Sequence, residues 1–135
     1  MPGRHGRRTG IGVIVNWNGY EHALPPSEVL VPEILGDAPA GAYTSALTGK
    51  WHLGNRTSGD EHAGDVGFEW YAGAPENLLL RAPLDDGTAH GYFHWIKNIN
   101  GVMEYSDTYA TTDTVDDAIA NIESLPEPWF IYVPR

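Results

Sequence analysis

The sequence predicts an α/β fold: a sheet fed twice by a helix-then-strand unit, with a β-hairpin inserted between the two units. Three observations carry this. Apolar residues recur at helical spacing over 114–125, just ahead of the strand-like run Trp129-Phe130-Ile131-Tyr132-Val133. A shorter helical segment at 28–35 precedes the alternating stretch Ala42-Tyr43-Thr44-Ser45-Ala46-Leu47. Between the two units, Asn100-Gly101 separates two runs rich in aromatic and β-branched residues.

Taken in order, residues 1–26 read as loop, with one short apolar stretch at 11–15. Ser27 is the expected N-cap of a helix over 28–35 that stops at Gly36. Pro32 fits only a helix's first turn, so this helix is short or starts late. Asp37-Ala38-Pro39-Ala40-Gly41 turns the chain into the 42–47 strand. A polar loop at 55–64 leads to a short strand at 68–72. Leu78-Leu79-Leu80 and a loop at 83–88 then intervene. Residues 92–96 and 102–105 flank Asn100-Gly101, a hairpin turn whose two central residues both tolerate positive φ. In the 114–125 helix, Val115, Ala118, Ile119 and Ile122 form the apolar face, which turns Asp116, Asp117 and Glu123 to water. Pro126-Glu127-Pro128 then leads into 129–133, read as a buried strand. There is no internal repeat or low-complexity block.

At 135 residues the chain is one domain or less, long enough to bury about two-thirds of its unfolded surface. Sixteen Gly and ten Pro point to a loop-rich chain. A net charge of −10 argues against a nucleic-acid partner. Arg4, Arg7 and Arg8 cluster at the start, but no apolar core of a signal peptide follows them. No run approaches membrane-spanning length. The chain has no cysteine, hence no disulfide framework and no thiolate chemistry, and its compartment cannot be read from cysteine usage.

The run Thr48-Gly49-Lys50-Trp51-His52-Leu53-Gly54 carries the most chemistry. On an extended backbone Lys50 and His52 share a face roughly 7 Å apart, with Trp51 packed behind them. An amine and an imidazole at the carboxyl end of a buried strand suit a tetrahedral oxyanion, the histidine handling a proton. A solvated lysine beside a hydrogen-bonded structural histidine fits the same pattern. His90 and His94 have H-x3-H spacing, but their aromatic neighbours predict a strand that holds the imidazoles roughly 13 Å apart. His52 and His62 can converge only if the loop between them folds back. Among the five tryptophans, most are expected in core or pocket wall, with Trp95 and Tyr92 lining a substrate entrance.

Residues 43–54 closely resemble the G-Y-x-T-A-x-x-G-K-W-H-L-G signature of the sulfatases, the formylglycine-dependent sulfate ester hydrolases of arylsulfatase type. Arg4-His5-Gly6-Arg7-Arg8-Thr9-Gly10-Ile11-Gly12 resembles that family's T-G-R-x-P-H-R-T-G-I-G, and Gly67-Phe68-Glu69-Trp70-Tyr71-Ala72-Gly73 its G-F-D-x-F-x-G. Thr108-Tyr109-Ala110-Thr111-Thr112-Asp113 is similar to its Y-x-T-D segment, and Pro128-Trp129-Phe130-Ile131-Tyr132 to P-F-F-L-Y. The five matches come in the family's order and span nearly the whole chain.

The resemblance implies an alkaline-phosphatase-like fold, of which residues 1–135 supply part: central strands, flanking helices and the inserted hairpin. It makes Lys50 the ligand of the sulfate oxygens and His52 the proton acceptor when sulfate is expelled. It further implies a sulfated small molecule or glycan as substrate and a divalent cation, usually calcium, while the lack of a membrane-spanning run predicts no membrane partner. The C/S-x-P-S-R nucleophile motif is absent, and the family's metal ligands, second lysine and second histidine fall outside this sequence. Asp85-Asp86-Gly87 is similar to the metal motif D-D-x-G but lies in a loop after Pro83, where a solvated turn is expected. The chain therefore reads as an internal slice of a catalytic domain, inactive alone. The alternative is a non-catalytic anion-binding or interaction module derived from a sulfatase.

Overall fold

A computed structural model of the chain describes residues 23–25, 27–39, 41–54, 60–78 and 90–134. In chain order these form α1 (Val31–Gly36), β1 (Thr44–Thr48), α2 (His62–Asp65), β2 (Trp70–Gly73), β3 (Trp95–Ile99), β4 (Val102–Ser106), α3 (Ala110–Ser124) and β5 (Trp129–Tyr132). The strands make one mixed sheet in the order β4-β3-β2-β1-β5. β1 runs parallel to both β2 and β5, while β2–β3 and β3–β4 are antiparallel. This is an α/β sheet with a hairpin appended.

Local chemistry explains most element ends. Pro32 occupies the second position of α1, where no helical N–H is needed, so the helix starts late. Ser27 is not its cap. Leu30 holds that position, and its N–H donates to Glu33 Oε2 at 2.6 Å, one half of a capping box. The helical turn α2 begins within the expected polar loop at 55–64 and ends one residue past it. The hairpin turn is as expected, with Asn100 at φ 48° and Gly101 at φ 90°. The Asn100 side chain also accepts the Tyr71 N–H at 2.7 Å, tying the turn to β2. β3 begins at Trp95, later than the sequence suggests, because Gly91 and His94 exchange backbone hydrogen bonds of 2.8 and 3.3 Å across a tight turn.

The sheet has two unlike faces. Leu47 and Tyr71, partners across β1 and β2, join Leu24, Leu30, Val66 and Phe68 in the main core. Alternation turns Ala46, Thr48 and Ala72 the other way, and these small buried residues let α3 lie close to the sheet. The helix begins four residues earlier than its apolar period predicts, and its buried residues are Ala110, Ala118 and Asn121. Val115, Ile119 and Ile122, expected inside, are 42%, 47% and 51% exposed. Asp117, expected in water, is half-buried. The physical reason is Lys97 on β3, which pairs with Asp113 and, at 2.6 Å, with Asp117. A buried ammonium needs such partners, and this rotation of the helix supplies them. β5, expected to be buried, sits at the edge of the described sheet and is half-buried throughout.

Candidate functional site

Because β1, β2 and β5 are parallel, their carboxyl ends meet on one edge of the sheet, and the first turns of α3 lie beside them. The crowding there demands glycine. A Cβ on Gly73 would lie 1.8 Å from the Gly49 carbonyl oxygen, and one on Gly49 2.4 Å from the Pro134 carbonyl oxygen. Backbone pairing continues past the strand ends: Gly49 N–H to Ala72 O at 2.8 Å, Trp51 N–H to Ala74 O at 2.9 Å, His52 N–H to Pro75 O at 3.0 Å. The segment that carries Lys50 and His52 is thus clamped to the segment following β2.

The expectation of an extended backbone through Lys50 and His52 is not met. β1 ends at Thr48, and His52 has φ 49°, a left-handed conformation uncommon outside glycine. The clamp to Pro75 holds His52 there, and residues held in such regions concentrate at functional sites. Trp51 does pack behind, buried in the main core, with its Nε1–H donating to His62 Nδ1 at 3.0 Å. His62 Nδ1 is then the acceptor, so Nε2–H donates to Leu24 O at 3.1 Å. His62 is committed to Trp51 and Leu24, not to a pair with His52.

Lys50 lies on the wall of a cavity of about 720 Å³ that also exposes Asn77, Tyr92, Trp95, Thr111 and Val115. Its Nζ donates to Asn77 Oδ1. Trp95 and Tyr92, anticipated at an entrance, are both on this wall, and Trp95 is anchored by its Nε1–H to Thr108 O at 3.0 Å. His52 is absent from the described lining, yet it feels the site. Its pKa is lowered from 6.5, first by burial and then by the charge of Lys50, with Glu76 opposing. The arrangement joins a cation facing a cavity to a neighbouring imidazole kept neutral at pH 7.

The other candidates separate. His90 and His94 sit at the base of the tight turn, not on a strand; His90 is buried, while His94 is exposed and stacked on Tyr105. Asp85-Asp86-Gly87, and Arg4, Arg7 and Arg8 with the motif around them, lie outside the described residues. Asn77 and Glu76 carried no sequence signal. Only the parallel pairing of β1 and β2, which brings the segment after β2 beside Lys50, reveals them.

With this geometry in view, similarity to known proteins is informative. The chain is 34% identical to steryl-sulfatase of Rattus norvegicus over 91 residues, which is 64% of this chain and 15% of that protein. It is 35% identical to arylsulfatase G of Rattus norvegicus over 78 residues, 56% of this chain and 13% of that protein. The chain is related to the sulfatases. It matches less than a sixth of the length of either relative. No family model matches it. Sulfatases imply a divalent metal in the full enzyme, but among the described residues of this sulfatase relative no group of three or more His, Cys, Asp or Glu converges to hold one. No described helix is long and apolar enough to cross a membrane.

Proposed function

We propose that this chain carries the sulfate-binding half-site of a sulfate ester hydrolase with an alkaline-phosphatase-like fold, residues 1–135 forming part of its catalytic domain. The observation that carries the reading is Lys50 on the cavity wall at the carboxyl ends of parallel strands, with His52 two residues on and kept neutral. A fixed ammonium stabilises oxygens that gain negative charge as an S–O bond breaks. A neutral imidazole beside it takes up a proton as sulfate departs. The substrate is a sulfated small molecule or glycan. We assign the described residues no metal role.

The chain alone binds sulfate without turning over an ester, because it has no cysteine and no C/S-x-P-S-R motif from which formylglycine arises. This merges with the second reading, a non-catalytic anion-binding module. The test is thermal unfolding of the purified chain at rising sulfate concentration, with p-nitrophenyl sulfate hydrolysis measured in parallel. A cooperative transition that sulfate raises in the wild type but not in Lys50→Gln is the expected result. A transition indifferent to sulfate refutes the half-site, and measurable hydrolysis refutes the claim of inactivity.

A further inference from the structure

We propose that Asn77 is the positioning residue for Lys50, a neutral acceptor that fixes the ammonium at the cavity wall without cancelling its charge. The inference rests on the reading of Lys50 as an oxyanion ligand. Lys50 Nζ donates to Asn77 Oδ1, and both residues line the same cavity. A lysine is a flexible four-carbon stem with three rotatable donors, so an unheld Lys50 would lose much rotamer freedom on meeting an anion. Asn77 removes that loss in advance and occupies one donor, leaving two.

Asn77 is itself anchored. It follows Ala74 and Pro75, whose carbonyls accept the N–H groups of Trp51 and His52 at 2.9 and 3.0 Å. The holder and the held residue therefore belong to one clamped unit. The amide's neutrality is the decisive chemistry. A carboxylate at 77 would grip the ammonium more tightly and neutralise the field that an incoming oxyanion needs. The adjacent carboxylate, Glu76, acts instead on His52, where a negative charge favours the protonated imidazole.

The test exploits a convenience of the sequence: Lys50 and Lys97 are the only lysines. Carbon-13 lysine labelling of the full chain gives two spin systems, with Lys97 as the internal standard for a held side chain. Side-chain relaxation and sulfate titration are measured for the wild type, Asn77→Ala and the isosteric Asn77→Asp. Lys50 is expected to be ordered in the wild type and Asn77→Asp and mobile in Asn77→Ala. Sulfate affinity is expected to fall several-fold in Asn77→Ala and about tenfold or more in Asn77→Asp. A residue that did not position Lys50 would leave the lysine as ordered in Asn77→Ala as in the wild type. A mobile wild-type Lys50, or an Asn77→Asp chain that binds sulfate like wild type, overturns the proposal. If no form binds sulfate while Lys50 order still follows residue 77, the oxyanion reading fails and the Asn77 contact stands.

Discussion

Two lysines, one on β3 and one just past the end of β1, are treated in opposite ways. Lys97 is buried between Asp113 and Asp117 of α3, and Asp113 also accepts the Ser106 hydroxyl at 2.7 Å. Burial works against its charge, but the hydrogen bonds and charges of the two aspartates outweigh that and raise its pKa. Lys50, half-buried at the other end of the chemistry, has an amide as its partner and faces open volume. Lys97 has its charge consumed in fixing the hairpin to the helix. Lys50 is oriented and left with its charge available. What separates the two lysines is the charge of the partner, not the identity of the side chain.

The comparison breaks first at Lys97. Lys97→Met strands two carboxylates in a partly dry site and should cost about 3 kcal/mol or more, lowering the melting temperature by on the order of 10 °C. Adding Asp113→Asn and Asp117→Asn to that variant should recover most of the loss, since no buried charge then lacks a partner. A Lys97→Met chain that melts with wild type would mean the ion cluster does not hold the helix.

The matching change at the site should behave differently. Lys50→Met removes one solvent-accessible hydrogen bond to a neutral amide, worth about 0.5 kcal/mol. Calorimetric melting should barely move while sulfate binding disappears. A large loss of stability in Lys50→Met would erase the distinction between the two lysines.

The sequence made some of this legible and not the rest, for physical reasons. The Asn100-Gly101 turn was readable because its determinant, positive φ at both residues, is local. The existence of α3 was readable from its period, but not its rotation. The aspartates that face inward do so for a lysine on a strand earlier in the chain. Lys50 and His52 stood out by chemistry, whereas their backbone path did not. That path is set by Ala74 and Pro75, which reach them only through strand pairing. Asn77 was silent for the same reason. Residues whose role depends on a neighbouring strand's register leave no pattern in their own segment.

The smallest effect offers the finest measure of how Lys50's charge is used. His52's folded pKa lies below 6.5, with burial the largest cause, Lys50 the second, and Glu76 pulling the other way. An imidazole titration followed by NMR should give a midpoint below 6.5. Lys50→Met should raise that midpoint only part of the way, because burial remains. Glu76→Gln should lower it further. The sign for stability follows. The unfolded chain binds this proton more tightly than the folded one, so His52 contributes stability above pH 6.5 that is lost as pH falls through the folded value. Replacing His52 with Asn should flatten that part of the stability profile. A midpoint unmoved by Lys50→Met would mean that the lysine's field does not reach the imidazole, and the two residues would then share a segment without sharing a site.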